Sequence, residues 1–287
     1  ANNRGIEMNL EWRDKTESGF EYNVGVNMST IRNRMTKLNG GTPISDGPFR
    51  NGSMYLTYTN EGMPIGAFWG YKTDGLIQTQ EQLNAVKRAD FQPNAELGDV
   101  LFVDTNGDGK LDSSDRCMIG NPIPDIIYGI NMGMAWKGFD LNLQFGGTIG
   151  NQIFNAMRYY TYFPNDITNK DRALMNYWTP NNTNTDIPRL TATDVNDNDR
   201  FSDMYVENGT YFRLRNAQLG YTLPASLTQR IKLQKVRFYV SGQNLFTISS
   251  YSGMDPEVGQ SSSLSRGIDY GIYPQNISFT GGINVTF

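Results

Sequence analysis

The sequence predicts an all-β fold, a transmembrane antiparallel β-barrel with long extracellular loops carrying short helices, on three observations. Several segments alternate apolar and polar residues with period two, the pattern of a strand whose two faces meet different surroundings. The connections between them alternate short and long, as short periplasmic turns and long extracellular loops do in outer-membrane barrels. No stretch of the 287 residues, 38% of them hydrophobic, approaches the roughly 20 consecutive apolar residues of a membrane-spanning helix.

The strands follow in chain order. "GIEMNLEWR" sets Ile6, Met8, Leu10 and Trp12 against Glu7, Asn9, Glu11 and Arg13, and "FEYNVGVNMS" continues the pattern. "SMYLTYT" and "GAFWGYKTDGLI" are weaker strands. "IYGINMGMAWKG" and "FDLNLQFGG" alternate cleanly around a Lys137-Gly138 turn. The segments 210–223 and 235–248 are less regular, and "ISFTGGINVTF" closes the chain with Phe287. Short links fall at "DKTESG", Lys137-Gly138 and "PASLTQRIKLQ"; long ones fall at roughly 38–52, 77–124, 150–209 and 249–275. With the C-terminus placed on the periplasmic side, nine strands result. An odd number conflicts with the even count of bacterial barrels, so earlier strands are expected upstream. Dropping the two weak strands together leaves the parity unchanged. The abrupt opening on "ANNRGIEMNLEW", without a signal peptide, likewise suggests a fragment or a processed chain. Residues 1–287 thus read as the C-terminal part of a barrel domain.

Composition agrees. Thirty Gly, 16 Tyr and 15 Phe suit strands joined by many turns. Mean hydropathy is −0.51, yet a barrel needs apolar residues only at alternate positions. The polar faces are rich in Asn, Gln and Gly, as a wet lumen would be, and aromatics gather near strand ends, as at a membrane interface. A formal charge of −4 without a basic block gives no sign of nucleic-acid binding. The single Cys117 cannot form an internal disulfide. The absence of histidine excludes Ser-His-Asp and Cys-His catalysis and His-ligated metal within this chain.

The long loops contain local structure. "TQEQLNAVKRA" carries a capping box, Thr79 with Gln82, and "NKDRALMNYW" reads as a short helix stopped by Thr179-Pro180. "NNTNTDIPRLTATDVNDNDRFSD" reads as a mobile surface loop. Within an extracellular loop at 77–124, "DTNGDGKLDSSD" (104–115) has calcium-loop spacing. Asp104, Asn106 and Asp108 supply oxygens, Lys110 its carbonyl, Asp112 a water-mediated contact and Asp115 the closing carboxylate, with Gly109 at the sharp turn. A hard cation takes six to eight oxygens, and alternate residues of a tight loop converge on one point. The flanks are not paired helices, so the expectation is a structural calcium ion in a loop; an Asx-rich turn without metal is the rival. The closing Asp, in place of the usual Glu, weakens binding.

Four longer stretches carry a family resemblance. "GDVLFVDTNGDGKLDSSDRCMIGNPIPDIIYGINMGMAWKGFDLNLQFGGTIGNQIFN", "YVENGTYFRLRNAQLGYTLP", "VRFYVSGQNLFTISSYSGMDPEV" and "NEGMPIGAFWGYKTDGLIQTQEQL" occur in this chain. They resemble hallmark regions of the SusC/RagA-like TonB-linked outer-membrane proteins of Bacteroidota. The resemblance covers nearly the whole chain. It implies the C-terminal strands of a barrel of about 22 strands, located in the cell outer membrane. A plug and the remainder of the barrel lie outside this chain; TonB acts through the absent N-terminal region, and a SusD-like lipoprotein forms a lid. It further implies import of oligosaccharides, or of peptides in the RagA branch, and is compatible with a dimer of SusC–SusD pairs.

Substrate-contact candidates are the aromatics of loop 150–209, namely Tyr159, Tyr160, Tyr162 and Trp178 beside Phe163 and Tyr177, because flat rings stack on sugar faces. The ordinary alternative is that they pack the loop. Two rival functions belong to other classes. A glycosidase would need two carboxylates in a cleft, but the tight acidic cluster has calcium spacing, so no catalytic residue is assigned. A soluble calcium-stabilised carbohydrate-binding β-sandwich would leave the short and long connections unexplained.

Overall fold

A computed structural model describes residues 1–50, 52–163, 168–259 and 262–287, with Ile231 described for its backbone only. Seven strands form one antiparallel sheet in sequence order: β1 (Glu7–Lys15), β2 (Glu21–Thr30), β3 (Ile126–Trp136), β4 (Phe139–Ile149), β5 (Tyr211–Thr222), β6 (Lys235–Ser249) and β7 (Ser278–Thr286). Each hydrogen-bonds its chain neighbour, as in an up-and-down barrel wall.

The register sorts the side chains by face. One row runs Trp12, Val24, Met132, Leu143, Ala217, Gly242 and Phe279; the next runs Tyr22, Met134, Leu141, Leu219, Val240 and Gly281. This apolar face is bare: Leu10, Val240, Ile283 and Phe279 are 59%, 60%, 60% and 78% exposed. A soluble sandwich would cover such a face with a second sheet, so the exposure runs against that reading. Aromatics edge the band at both ends. Trp136, Phe139, Tyr221 and Phe238 lie in one cross-strand row at the hairpin end. Tyr128, Phe145, Phe212 and Phe246 are in ring contact at the other. These are the positions of interfacial girdles.

β5 reads irregularly because it carries a bulge. Gln144 pairs with Asn216 but Phe145 with Leu214, so Arg215 is extra. The extra residue switches parity. Ala217, Leu219 and Tyr221 share the apolar face with Phe212 and Leu214, while Arg213 stays on the polar one.

The sheet's two ends differ. At one end β3 and β4 join through Lys137 and Gly138, both at positive φ (46° and 88°) as a type I′ hairpin turn requires. β1 and β2 join through Thr16–Phe20, and β5 and β6 through a segment with a short helix at Ala225–Thr228. At the other end three long connections build a cap, which corrects the strand count. The two weak strands, Met54–Thr59 and Ala67–Gly70, leave the barrel sheet and join Ile44–Phe49 and Cys117–Gly120 in a separate sheet. The barrel count therefore falls from nine to seven and remains odd.

One core unites the three connections: Phe49, Leu56 and Phe68 from the first, Phe154, Tyr159 and Tyr205 from the second, Ile268 from the third. Phe154 meets Phe49 and Phe201 edge-on, the arrangement that aromatic quadrupoles favour. The capping box stands at helix α1 (Gln80–Arg88), where Thr79 and Gln82 satisfy each other's backbone N–H groups. Helix α2 (Ala156–Tyr162), capped by the Asn155 side chain, lies in the aromatic stretch where no helix was expected. The helix expected in "NKDRALMNYW" is a 3-10 segment, Arg172–Asn176, ending before Thr179.

The stretch expected to be a mobile surface loop is instead pinned. Asn196, Asn198, Phe201 and Ser202 are buried. Asn198 Oδ1 accepts from the Val100 N–H at 2.8 Å and its Nδ2 donates to Asp99 at 3.0 Å, while the Gln92 amide donates to Val100 O and Asn196 Oδ1. Buried amides are tolerated where every group finds a partner, and these partners lie about a hundred residues away in sequence. Among the described residues no helix is long and apolar enough to cross a membrane, which says nothing about crossing by strands.

Candidate functional site

The polar face is a ladder of amides and hydroxyls. Asn131, Gln144, Asn216, Gln243 and Ser278 share one cross-strand row, and Asn23, Gly133, Asn142, Gln218, Ser241 and Thr280 the next. The Ser278 hydroxyl donates to Gln243 Oε1 at 3.2 Å. Nearer the hairpin end, Arg237 reaches across two strands, its Nε donating to Asp140 at 2.9 Å and Nη2 to Gln218 at 3.0 Å. Gly220 lies between them, and a Cβ there would strike the guanidinium. The glycine is thus the gap through which the ion pair forms.

At the mouth, the third long connection folds onto this face. Arg213 is 2% exposed and donates from Nη2 to Asp255, from Nη1 to Glu257 at 2.8 Å and from Nε to Thr247 Oγ1 at 2.8 Å. Asp255 also accepts the backbone N–H groups of Gln275 and Glu257 at 2.9 and 2.8 Å. Burial would raise the Asp255 carboxyl, but these N–H groups and the guanidinium outweigh it and hold it below the ordinary carboxylate range. Half-exposed Arg215, at the bulge, donates to Glu257 Oε1 at 3.2 Å and to Tyr211 Oη at 3.0 Å. Sequence reasoning missed this cluster. Its signal was two arginines inside a strand, in "YFRLRNAQ", and the acidic pair of "GMDPEV".

The 104–115 segment is a run of Asx turns. Asp104 accepts from Gly107 N at 2.6 Å and Gly109 N at 2.9 Å, Asn106 Oδ1 from Asp108 N at 2.8 Å, and Asp108 from Lys110 N at 2.9 Å. The N–H of Gly109 foremost lowers Asp104; Asp112 is lowered foremost by the Ser114 N–H that it accepts. Asp115 is buried and accepts from Thr105 N and Asp112 N at 2.9 and 3.0 Å. Among the described residues no group of three or more His, Cys, Asp or Glu side chains is gathered so as to hold a metal. The side-chain oxygens of Asp104, Asn106, Asp108, Asp112 and Asp115 thus each accept a backbone N–H within the segment.

The loop aromatics pack inward. Tyr159 is 3% exposed, meets Phe49 edge-on at 4.9 Å and accepts from Arg50 at 3.0 Å; burial, then Asp199, raises its phenol strongly. Trp178 is 5% exposed, donates from Nε1 to Gln78 at 2.8 Å and lies on Gly98. Half-buried Tyr160 stacks obliquely on Phe49, and Tyr162 lies under the Arg158 guanidinium. The ring faces of Tyr159 and Trp178 are taken up by the loop core, while Tyr160 and Tyr162 are half-buried.

Seven meander strands, with one bare apolar face edged by aromatics, one polar face, tight hairpins at one end and packed loops at the other, define a wall of a transmembrane β-barrel. No family model matches the chain. It is 36% identical over 297 aligned residues to TonB-dependent receptor P3 of Formosa agariphila, an alignment covering 99% of this chain and 28% of that receptor. It is 27% identical to TonB-dependent receptor SusC of Bacteroides thetaiotaomicron, over 99% of this chain and 26% of SusC. Among solved structures, that of the RagAB peptide transporter superposes with a TM-score of 0.75 at 23% identity, covering 99% of this chain and 29% of that one. Over the length it spans, the chain is similar to TonB-dependent receptors, SusC among them, and shares its fold with the RagAB structure. That length is under a third of each of these relatives.

Proposed function

We propose that the chain forms the C-terminal barrel wall and extracellular cap of an outer-membrane importer, non-enzymatic, which takes up oligosaccharides with a SusD-like lipoprotein as lid. In this reading TonB drives the rest of the receptor, through a plug outside the chain. The observation that carries it is the two-faced sheet: a lipid-ready surface backs a continuous amide and hydroxyl ladder, the lining suited to a polar solute. The hairpin end faces the periplasm and the packed cap faces outward, toward the lid. Deleting the gene and growing the strain on a panel of glycans and peptides tests it. Loss of growth on one glycan class supports the reading; unimpaired growth on every substrate sinks it.

Peptide import is the second reading, favoured by the superposition on the RagAB peptide transporter. Growth lost on peptides alone would select it.

Calcium in the 104–115 segment belongs to the same proposal. Asp104, Asn106, Asp108, Asp112 and Asp115 with the Lys110 carbonyl would hold the ion, which would supply a fixed charge that stiffens the turn. If so, chelation exposes the segment to protease and added calcium protects it. Cleavage indifferent to both treatments removes calcium from the proposal.

A further inference from the structure

Two planar groups on the polar face lie flat on glycine floors. Ala135, Asp140, Gly220, Tyr239 and Gly282 stand in one cross-strand row, beside the aromatic row of the hairpin end. A Cβ on Gly282 would lie 2.5, 2.5 and 2.6 Å from Cζ, Oη and Cε1 of Tyr239. Those atoms are bonded in a bent row, so a point in their plane at that range could not be equally far from all of them. The ring therefore turns a face to the glycine. Arg237 does the same over Gly220, where a Cβ would lie 2.4, 2.6 and 2.6 Å from Nη2, Cζ and Nε. Asp140 and Gln218 pin the guanidinium at 2.9 and 3.0 Å, and its Cζ stands 5.4 Å from the Tyr239 ring centroid. A larger residue at either glycine would prop the planar group off the wall.

Covering a glycine with an aromatic from the next strand steadies the pair, but that uses only one face of the ring. Tyr239 is half-buried, as a ring covered on one side is. Across this row and the next two on the polar face, it is the one aromatic side chain. Its free face is electron-rich, and the axial C–H bonds of a pyranose are weakly positive, so the two surfaces stack. Gln218, Ser241 and Thr280 stand in the adjoining row, within the span of the hydroxyls around a sugar ring. Asp140 and Arg237 neutralise each other, which leaves the strip without a net charge to draw an ionised solute. We propose that Tyr239 is a stacking subsite for a neutral pyranose, with Gly282 letting the ring lie flat and Gln218, Ser241 and Thr280 meeting the sugar hydroxyls. The subsite rests on the reading of the polar face as the path of an imported oligosaccharide, and narrows that reading to neutral sugar units.

The test uses the whole receptor in detergent, titrated calorimetrically with maltohexaose, mannohexaose, xylohexaose and, as a peptide, hexa-alanine. Y239F keeps the ring, Y239A removes it and G282A lifts it; a heat-modifiable band on a detergent gel verifies that each variant folds. For one of the sugars, Y239F should bind within about twofold of the native receptor and Y239A at least about tenfold more weakly, with G282A between them. A sugar bound alike by the native receptor and Y239A overturns the subsite and leaves the importer reading standing. Binding of hexa-alanine in place of the sugars, lost in Y239A, overturns the sugar as occupant. Absence of binding by all three sugars overturns the subsite together with the glycan reading.

Discussion

The Arg213 guanidinium, buried in the barrel wall, donates to the carboxylate of Asp255 in the last long connection, whose other oxygen accepts the Gln275 N–H at 2.9 Å. One ion pair thus ties both ends of the connection between β6 and β7 to the polar face of β5.

Removing one partner of a buried pair costs about 3–5 kcal/mol where the other charge is left unpaired; Arg213 keeps Glu257 at 2.8 Å, so the loss of Asp255 costs less than that. D255N should therefore release residues 250–277 from the wall and raise amide exchange there, while β3 and β4 stay protected. R213M/D255L, which removes both charges, should regain much of the lost protection. Equal exchange in D255N and the native receptor would deny the pair its anchoring role.

Acid should open the same clasp. Asp255 is held below the ordinary carboxylate range, so its ionised form favours the docked state. That contribution is complete above the unfolded aspartate value of about 3.9 and fades as pH falls through the depressed folded one. Exchange in 250–277 should stay flat from neutral pH down to about pH 4 and climb below it. Asp203 has the opposite sign: burial raises it in spite of the Thr73 hydroxyl and N–H. Ionised Asp203 therefore weakens the cap once pH has risen through its folded value. D203N, which keeps an acceptor for Thr73, should leave the melting temperature at neutral pH equal or higher; a clear fall would contradict the assignment.

The two faces of β4 should respond oppositely to a charge. Leu143 lies on the bare face and Gln144 on the polar one. L143R should cost about 2–4 kcal/mol in a bilayer, the penalty for arginine near the midplane, whereas Q144R should be tolerated. Assembly into vesicles, scored by the folded-band shift on gels, separates them. Equal tolerance would mean that lipid does not meet Leu143.

Gly98 holds φ at +84°, and a Cβ there would strike the Trp178 ring. G98A combines left-handed strain with that collision and should destabilise the cap by more than about 1 kcal/mol. Red-shifted tryptophan emission and faster proteolysis around 172–190, with the barrel still assembling, would mark the loss.

Local pattern made much of this legible. Strands facing lipid on one side and water on the other must alternate, so β1 to β4 and β7 stood out in one dimension. Thr79 with Gln82 and the Lys137-Gly138 turn were readable because each is completed within a few residues. The bulge at Arg215 was not, since an extra residue shows only against the register of its neighbours. Period two also could not say that Met54–Thr59 and Ala67–Gly70 belong to the cap sheet, because both sheets impose it.

By itself, then, the sequence determined which segments are the barrel strands, which of their faces are greasy and where the tight turns lie, because those depend on neighbours one to four positions away. Tertiary structure alone decided the burial of Tyr159, Trp178, Asn196 and Asn198 and the clasp between Arg213 and Asp255. A polar or aromatic group is buried or bare according to partners some forty to a hundred residues off, and only the folded chain brings those partners into reach.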